Sequence, residues 1–165
     1  MPVPSVAADA RILLLREIRT MQQEVQALPS DKLLWRCPSG ITNSIGTLGL
    51  HLAGNLRHFV GKGVGGLDYT RDRTREFEAR DLTRQEVVDE LALAANDVEV
   101  ALASVSADQL ERPITVGNVE TSTQRFLLHL SAHAALHVGQ AGYLRRILTG
   151  EERSVGVTPL ADLQD

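Results

Sequence analysis

The sequence predicts an all-α protein, a four-helix bundle, and three observations lead there. Apolar residues recur at three- and four-residue spacing in four long segments, strand-like alternation is almost absent, and aromatic residues make up only 4% of the chain. Four amphipathic helices with no sheet to cover bury their stripes most simply against one another. At 165 residues the chain fits a single domain, residues 1–165, large enough to bury a core without disulfides.

The first helix is expected over about Ala7 to Leu28, where Leu14, Ile18, Met21, Val25 and Leu28 form one stripe and Pro29 closes it. The second begins at the capping residues Asn43 and Ser44. Its stripe runs through Ile45, Leu48, Leu52, Asn55 and Phe59 to a glycine cluster, Gly61 to Gly66. That cluster lacks the lysine and hydroxyl pattern of a phosphate-cradling loop and reads as a flexible connection. The linker from about Val60 to Leu82 is long enough to cross the bundle, so helices two and three are expected to run parallel. Helix three opens with Thr83 and Glu86 at capping-box spacing and continues through Leu91, Ala95, Val98, Leu102 and Val105. Helix four is expected to open with Thr121 and Gln124, to carry Leu127, Leu130, Ala134, His137, Ala141, Leu144 and Leu148, and to end at Gly150. Each of the helix-interior glycines Gly46, Gly49, Gly54, Gly139 and Gly142 costs about 1 kcal/mol relative to alanine. Close approach of helices two and four, or of two copies of the chain, is the expected compensation.

Composition narrows the function. Hydrophobic residues make up 43% and charged residues 23%, the balance of a soluble globular protein, and no apolar run approaches the roughly 20 residues that cross a bilayer. A formal net charge of -4 and a pI near 5.7 offer no basic footprint for nucleic acid. The lone Cys37 excludes an internal disulfide and the N-terminal residues lack a secretory pattern, so a cytoplasmic location is expected. Trp35 reads as a cap over one end of the bundle, and Cys37 receives no role.

Chemistry concentrates in the five histidines. His129, His133 and His137 follow one another at four-residue spacing, which places neighbours roughly 6 Å apart on one helical face. His51 and His58 share a face of the second helix. If helices two and four run antiparallel, aligning His51 with His137 brings His58 near His129. The candidate metal site is then His51, His133 and His137, with His58 and His129 as neighbouring polar groups, ligand contacts or ordinary surface. Three imidazoles leave a tetrahedral ion one open position. A single histidine on an apolar stripe is usually a hydrogen-bonded core residue, but several facing one another are costly to bury unless something satisfies them together. Ala134 stands where a zincin helix carries its glutamate, and no Glu-x-x-His pair exists for a di-iron centre. Asn55, one turn after His51, could orient a ligand or be a structural amide. Gln140 and Tyr143 lie close to His137 and could line a pocket. Arg57, Arg71, Arg73 and Arg145 could hold anions but read as solvated charges.

The segments Asn43-Ser44-Ile45-Gly46, His51 to Arg57, Gly65-Gly66 to Arg73, and His129 to Gln140 (HLSAHAALHVGQ) together resemble the DinB-like metal-binding helical bundles. The similarity covers nearly the whole chain and lies with a subfamily whose members mostly have no assigned function. It implies an up-down-down-up bundle, a divalent metal on His51, His133 and His137, and a homodimer. Other DinB-like proteins are transferases or isomerases that use low-molecular-weight thiols, so the resemblance implies a thiol-dependent transferase or related metal-dependent enzyme acting on a small electrophilic substrate with a thiol or water. The alternative is a non-catalytic dimeric module with a structural or incidental metal. Three imidazoles suit several divalent metals, zinc and nickel foremost.

Overall fold

The structure is a computed structural model and describes residues 5–155. Helix α1 spans Val6–Gln26, capped by the Ser5 hydroxyl, which accepts from the Ala8 amide. Its inward face carries Ala7, Ala10, Leu14, Ile18, Met21 and Val25, but also the buried Glu17, Thr20 and Glu24. After the single turn α2 (Asp31–Leu34), Trp35 lays its ring against Gly46 and donates its indole N–H to the Leu82 carbonyl at 2.9 Å. Trp35 thus ties the start of the next helix to the end of the crossover.

Helix α3, Ile45–Leu56, starts at Ser44, whose hydroxyl accepts from the Thr47 amide, and every one of its residues is buried. A helix covered on all sides occupies the middle of a fold. Here α3 packs on α1, α5, α7 and the short α4 (Arg73–Glu78). It runs without a break into a π-helical segment, Arg57–Val64, so the glycine cluster is not the flexible loop expected from the sequence. Close packing is the reason: a Cβ on Gly65 would strike Ala101, and one on Gly61 would crowd Asp97.

Helix α5, Arg84–Leu102, begins with the expected capping box, in which Thr83 and Glu86 satisfy each other's backbone amides. It buries Val87, Leu91, Ala94, Val98 and Leu102. A short helix, α6 (Ala107–Glu111), then leads to a β-hairpin of β1 (Pro113–Val116) and β2 (Val119–Ser122), with Val116 opposite Val119 and Gly117 at φ +62°. The all-α expectation fits broadly: the fold is mostly helical, with this one small hairpin besides. Thr121 belongs to β2, and Ser122 caps the longest helix, α7 (Thr123–Thr149), which ends at Gly150 in the left-handed conformation.

The four long helices form a ring in which α1 packs on α5 and α7, and α3 packs on the same two. Contacts between α3 and α5 climb together: Gly49 lies against Val87 and Leu91, Arg57 bonds Asp97, and Gly65 lies against Ala101. Contacts between α3 and α7 run oppositely, from His51 beside His137 to Phe59 beside Phe126. Among the described residues no helix is long and apolar enough to cross a membrane.

Candidate metal centre

His51 comes from the middle of α3, and His133 and His137 come from successive turns of α7. His51 Nε2 lies 3.3 Å from His133 Nε2, which lies 3.1 Å from His137 Nε2. One ring nitrogen from each lies within 4.8 Å of the other two, and among the described residues these three form the one group of such donors close enough to hold a metal ion. The rings meet edge to face, at interplanar angles of 83°, 85° and 79°. Bonds of about 2.0–2.1 Å at tetrahedral angles place two ligand nitrogens about 3.3 Å apart, so the donor set fits one four-coordinate ion.

The outward nitrogens have partners of their own. Gln140 Oε1 accepts from His137 Nδ1 at 2.9 Å. His51 Nδ1 lies 3.1 Å from Glu76 Oε2, and Glu76 is in turn gripped by Arg71, with Nε to Oε1 at 2.6 Å and Nη2 to Oε2 at 2.7 Å. Burial alone would push the Glu76 carboxyl up, but the bonds from Arg71 and His51 outweigh it and hold the group below the usual carboxylate value. Burial lowers His133 to about 4, with the neighbouring His137, His51 and His129 adding to the effect. Burial also lowers His137, against the opposing bond to Gln140. His133 therefore stands neutral, with a lone pair free, well below neutral pH.

The other candidates scatter. His129 is exposed and stacks over His133, with ring centroids 6.0 Å apart. His58 does not meet it directly: His58 touches Phe59, Phe59 touches Phe126, and Phe126 stacks on His129. Desolvation lowers the pKa of His58, and its Nδ1 has no hydrogen-bond partner in the protein. Asn55 is buried with Oδ1 likewise unpartnered. Tyr143 is 69% exposed and lies under the Arg146 guanidinium rather than at the histidines.

Sequence reasoning missed Glu76 and Phe77, whose ring lies 5.0 Å from that of His51, because α4 sits in a connection with no periodicity to link it to α3. Two arginines are also corrected. Arg71 and Arg145 are not solvated charges: each is paired with a buried glutamate, Glu76 and Glu24 respectively, and Arg145 is 1% exposed. For the helix glycines, close approach of helices two and four is not the compensation. None of Gly46, Gly49, Gly54 or Gly142 sits where α3 meets α7; they face Trp35, Val87, Glu76 and Glu24, and nothing lies within 4 Å of Gly139.

The same architecture occurs in solved structures. A conserved protein from Enterococcus faecalis superposes with a TM-score of 0.72 at 18% identity, covering 90% of this chain and 100% of that one. A DinB-like protein from Bacillus cereus superposes with a TM-score of 0.62 at 18% identity, covering 79% and 85%. Both likenesses speak to the fold alone. A comparison with the curated proteins finds no match. The family model described as the DinB superfamily matches residues 13–141, most of the chain. This chain, with its three converging histidines, belongs to the DinB superfamily.

Proposed function

We propose that His51, His133 and His137 hold one divalent metal ion, zinc or nickel, and that the protein is a metal-dependent enzyme joining a low-molecular-weight thiol to a small electrophile. The observation that carries the metal reading is the pair of Nε2 separations, 3.3 and 3.1 Å, which match the edge of a tetrahedral coordination sphere. Only three donors converge among the described residues, so one position stays open to solvent or substrate. When bound, such an ion supplies positive charge that lowers the pKa of a thiol or water beside it. The chain's own part is to hold three imidazoles in place and to position the electrophile, so that a C–S bond forms as the leaving group departs with its electron pair.

A pocket of about 280 Å³ supports an enzyme over a closed structural site. It lies between the loop at Gly40 to Asn43 and the later turns of α7, and Gln140 is its link to the histidines. Gln140 lines it while bonding His137, and Tyr143, which also lines it, would contact substrate there, while the unpartnered Oδ1 of the buried Asn55, one turn after His51, would orient a ligand or a water. Ile41, Leu48, Leu144 and Ile147 supply apolar walls, and no charged residue lines the pocket, which suits an electrophile with an uncharged, largely apolar body. His58 and His129 would serve as further polar contacts at the far end of the aromatic row.

Three wider readings belong to the same proposal. The contact order among the long helices supports an up-down-down-up bundle with the crossover between α3 and α5. The outward face of α7, with Leu128, Leu136, Tyr143 and Ile147 all more than half exposed, supports a homodimer packed through that helix. An unpaired, exposed Cys37 supports a cytoplasmic location, and the acidic net charge argues against nucleic acid as a partner.

The test is cobalt substitution. Adding a low-molecular-weight thiol to the cobalt-loaded protein should produce a sulfur-to-metal charge-transfer band and accelerate S-alkylation by an uncharged alkyl halide. Both effects should be lost in the His133→Ala, His137→Ala variant. A cobalt spectrum that no thiol alters would favour the alternative, a bundle module with a structural ion.

A further inference from the structure

Glu76 is buried on α4, and both of its oxygens are committed. Oε1 accepts from Arg71 Nε, while Oε2 accepts from Arg71 Nη2 and faces His51 Nδ1 at 3.1 Å. A carboxylate paired with a guanidinium is an acceptor only, so its bond to His51 requires the hydrogen on Nδ1. Arg71 Nη2 also lies 3.4 Å from that nitrogen, but two donors cannot bond each other, and the carboxylate is the nearer partner of both. A neutral imidazole with its hydrogen on Nδ1 carries its lone pair on Nε2, the atom that faces His133.

Access to His51 depends on one residue of α3. A Cβ built at position 54 would collide with Oε1, Cδ and Cγ of Glu76, so the carboxylate reaches this place because residue 54 is glycine. Gly54 lies one turn after His51, and the helix therefore carries both the ligand and the gap through which its partner enters.

We infer that Glu76, clamped by Arg71 and admitted at Gly54, is the positioning residue that fixes His51 in the Nδ1–H tautomer and so reserves Nε2 for the metal. The crossover between α3 and α5 is then part of the metal centre, supplying the carboxylate behind a ligating histidine as outer-shell groups do at many metal sites. The purpose of this arrangement rests on the metal reading above, but its test does not.

The tautomer is read by ¹⁵N NMR of histidine-labelled, zinc-free full-length protein at a pH where the rings are neutral. Zinc affinity is read in parallel by competition with a chromophoric chelator. The wild type should show His51 protonated on Nδ1. In Glu76→Leu the freed Arg71 donates to Nδ1, moving the hydrogen to Nε2. Gly54→Ala, which retains every ligand and charge, should shift the same signal by displacing Glu76. Zinc affinity should fall 10- to 100-fold in both variants with the helical circular dichroism unchanged. A His51 that stays protonated on Nδ1 in both variants overturns the inference, as do zinc affinities within twofold of a zinc-binding wild type. If the wild type binds no zinc yet the tautomer switches, the positioning role stands and the metal reading falls.

Discussion

Glu24 and Glu76 occupy similar niches in different parts of the molecule. Each is a buried acid paired with an arginine and lodged against a helix glycine, Glu24 with Arg145 at Gly142 and Glu76 with Arg71 at Gly54. At the first pair the bonds are structural: both side chains are 2% exposed, Arg145 Nε meets Glu24 Oε2 at 2.5 Å, and Arg145 Nη2 donates to the Arg153 carbonyl. The pair pins α1 to α7 and to the segment that follows it. At the second, one carboxylate oxygen is shared with a histidine that meets two others close enough to hold a metal ion. The same local construction ties helices together in one place and bonds a histidine in the other. What separates them is a third partner that can donate or accept according to its tautomer.

The largest effect that would sharpen this contrast is at the frame. Arg145→Met leaves Glu24 buried without a counter-charge and should lower the unfolding free energy by about 3–5 kcal/mol in denaturant titration, with metal content unchanged. Adding Glu24→Met to that variant should restore most of the loss, because apolar side chains of similar volume replace a buried ion pair at little cost. A loss below about 1 kcal/mol, or a concomitant loss of metal, would break the distinction between frame and site.

A smaller effect compares the two glycines. An alanine at position 142 would place its Cβ 3.1 Å from Glu24 Oε1, a crowding that a shift of a few tenths of an ångström relieves, whereas at position 54 the carboxylate must leave. Gly142→Ala gains helix propensity of about 1 kcal/mol against modest overpacking and should be close to neutral, while Gly54→Ala should lose about 1–3 kcal/mol. Equal effects in urea titration would mean that Glu76 is no more tightly seated than Glu24.

The smallest effect is in the pH dependence of the chelator-treated protein. His133 is held at about 4 in the fold, against 6.5 for an unperturbed histidine, so between these values the unfolded chain binds a proton that the folded chain refuses. Stability from this group is fully present above about 6.5 and is lost as pH falls toward about 4. His137 and His58, also lowered, act in the same direction. The denaturation midpoint should decline through that window, and His133→Gln should flatten the decline. An unchanged slope in the variant would place the histidine cluster closer to solvent than its geometry implies.

The frame was legible in the sequence where periodicity and capping speak. The stripe of α1, the capping box at Thr83 and Glu86, and the stop at Gly150 all follow from local rules. So did the pairing of His51 with His133 and His137, because four- and seven-residue intervals fix which faces two helices offer. The hairpin escaped because each strand has only four residues, although Gly117-Asn118 between two valines was a turn signal. Glu76 and Arg71 escaped because their meeting with His51 is set by how the crossover folds back on α3, which no spacing within a helix encodes. The Glu24 to Arg145 pair left a fainter trace. Glu17, Thr20 and Glu24 lie at helical spacing on a buried face of α1, and Arg145 sits among the core positions of α7, so polar residues on two apolar faces were waiting for each other.

The central claim is that the histidines of α3 and α7 form one metal site, and elemental analysis tests it most directly. The purified full-length protein and its His133→Ala, His137→Ala variant are treated with a mild chelator that removes loosely held ions, and their zinc and nickel contents are then measured. Close to one equivalent in the parent and none in a folded variant is the predicted result. Equal metal in both, or none in either, would contradict it.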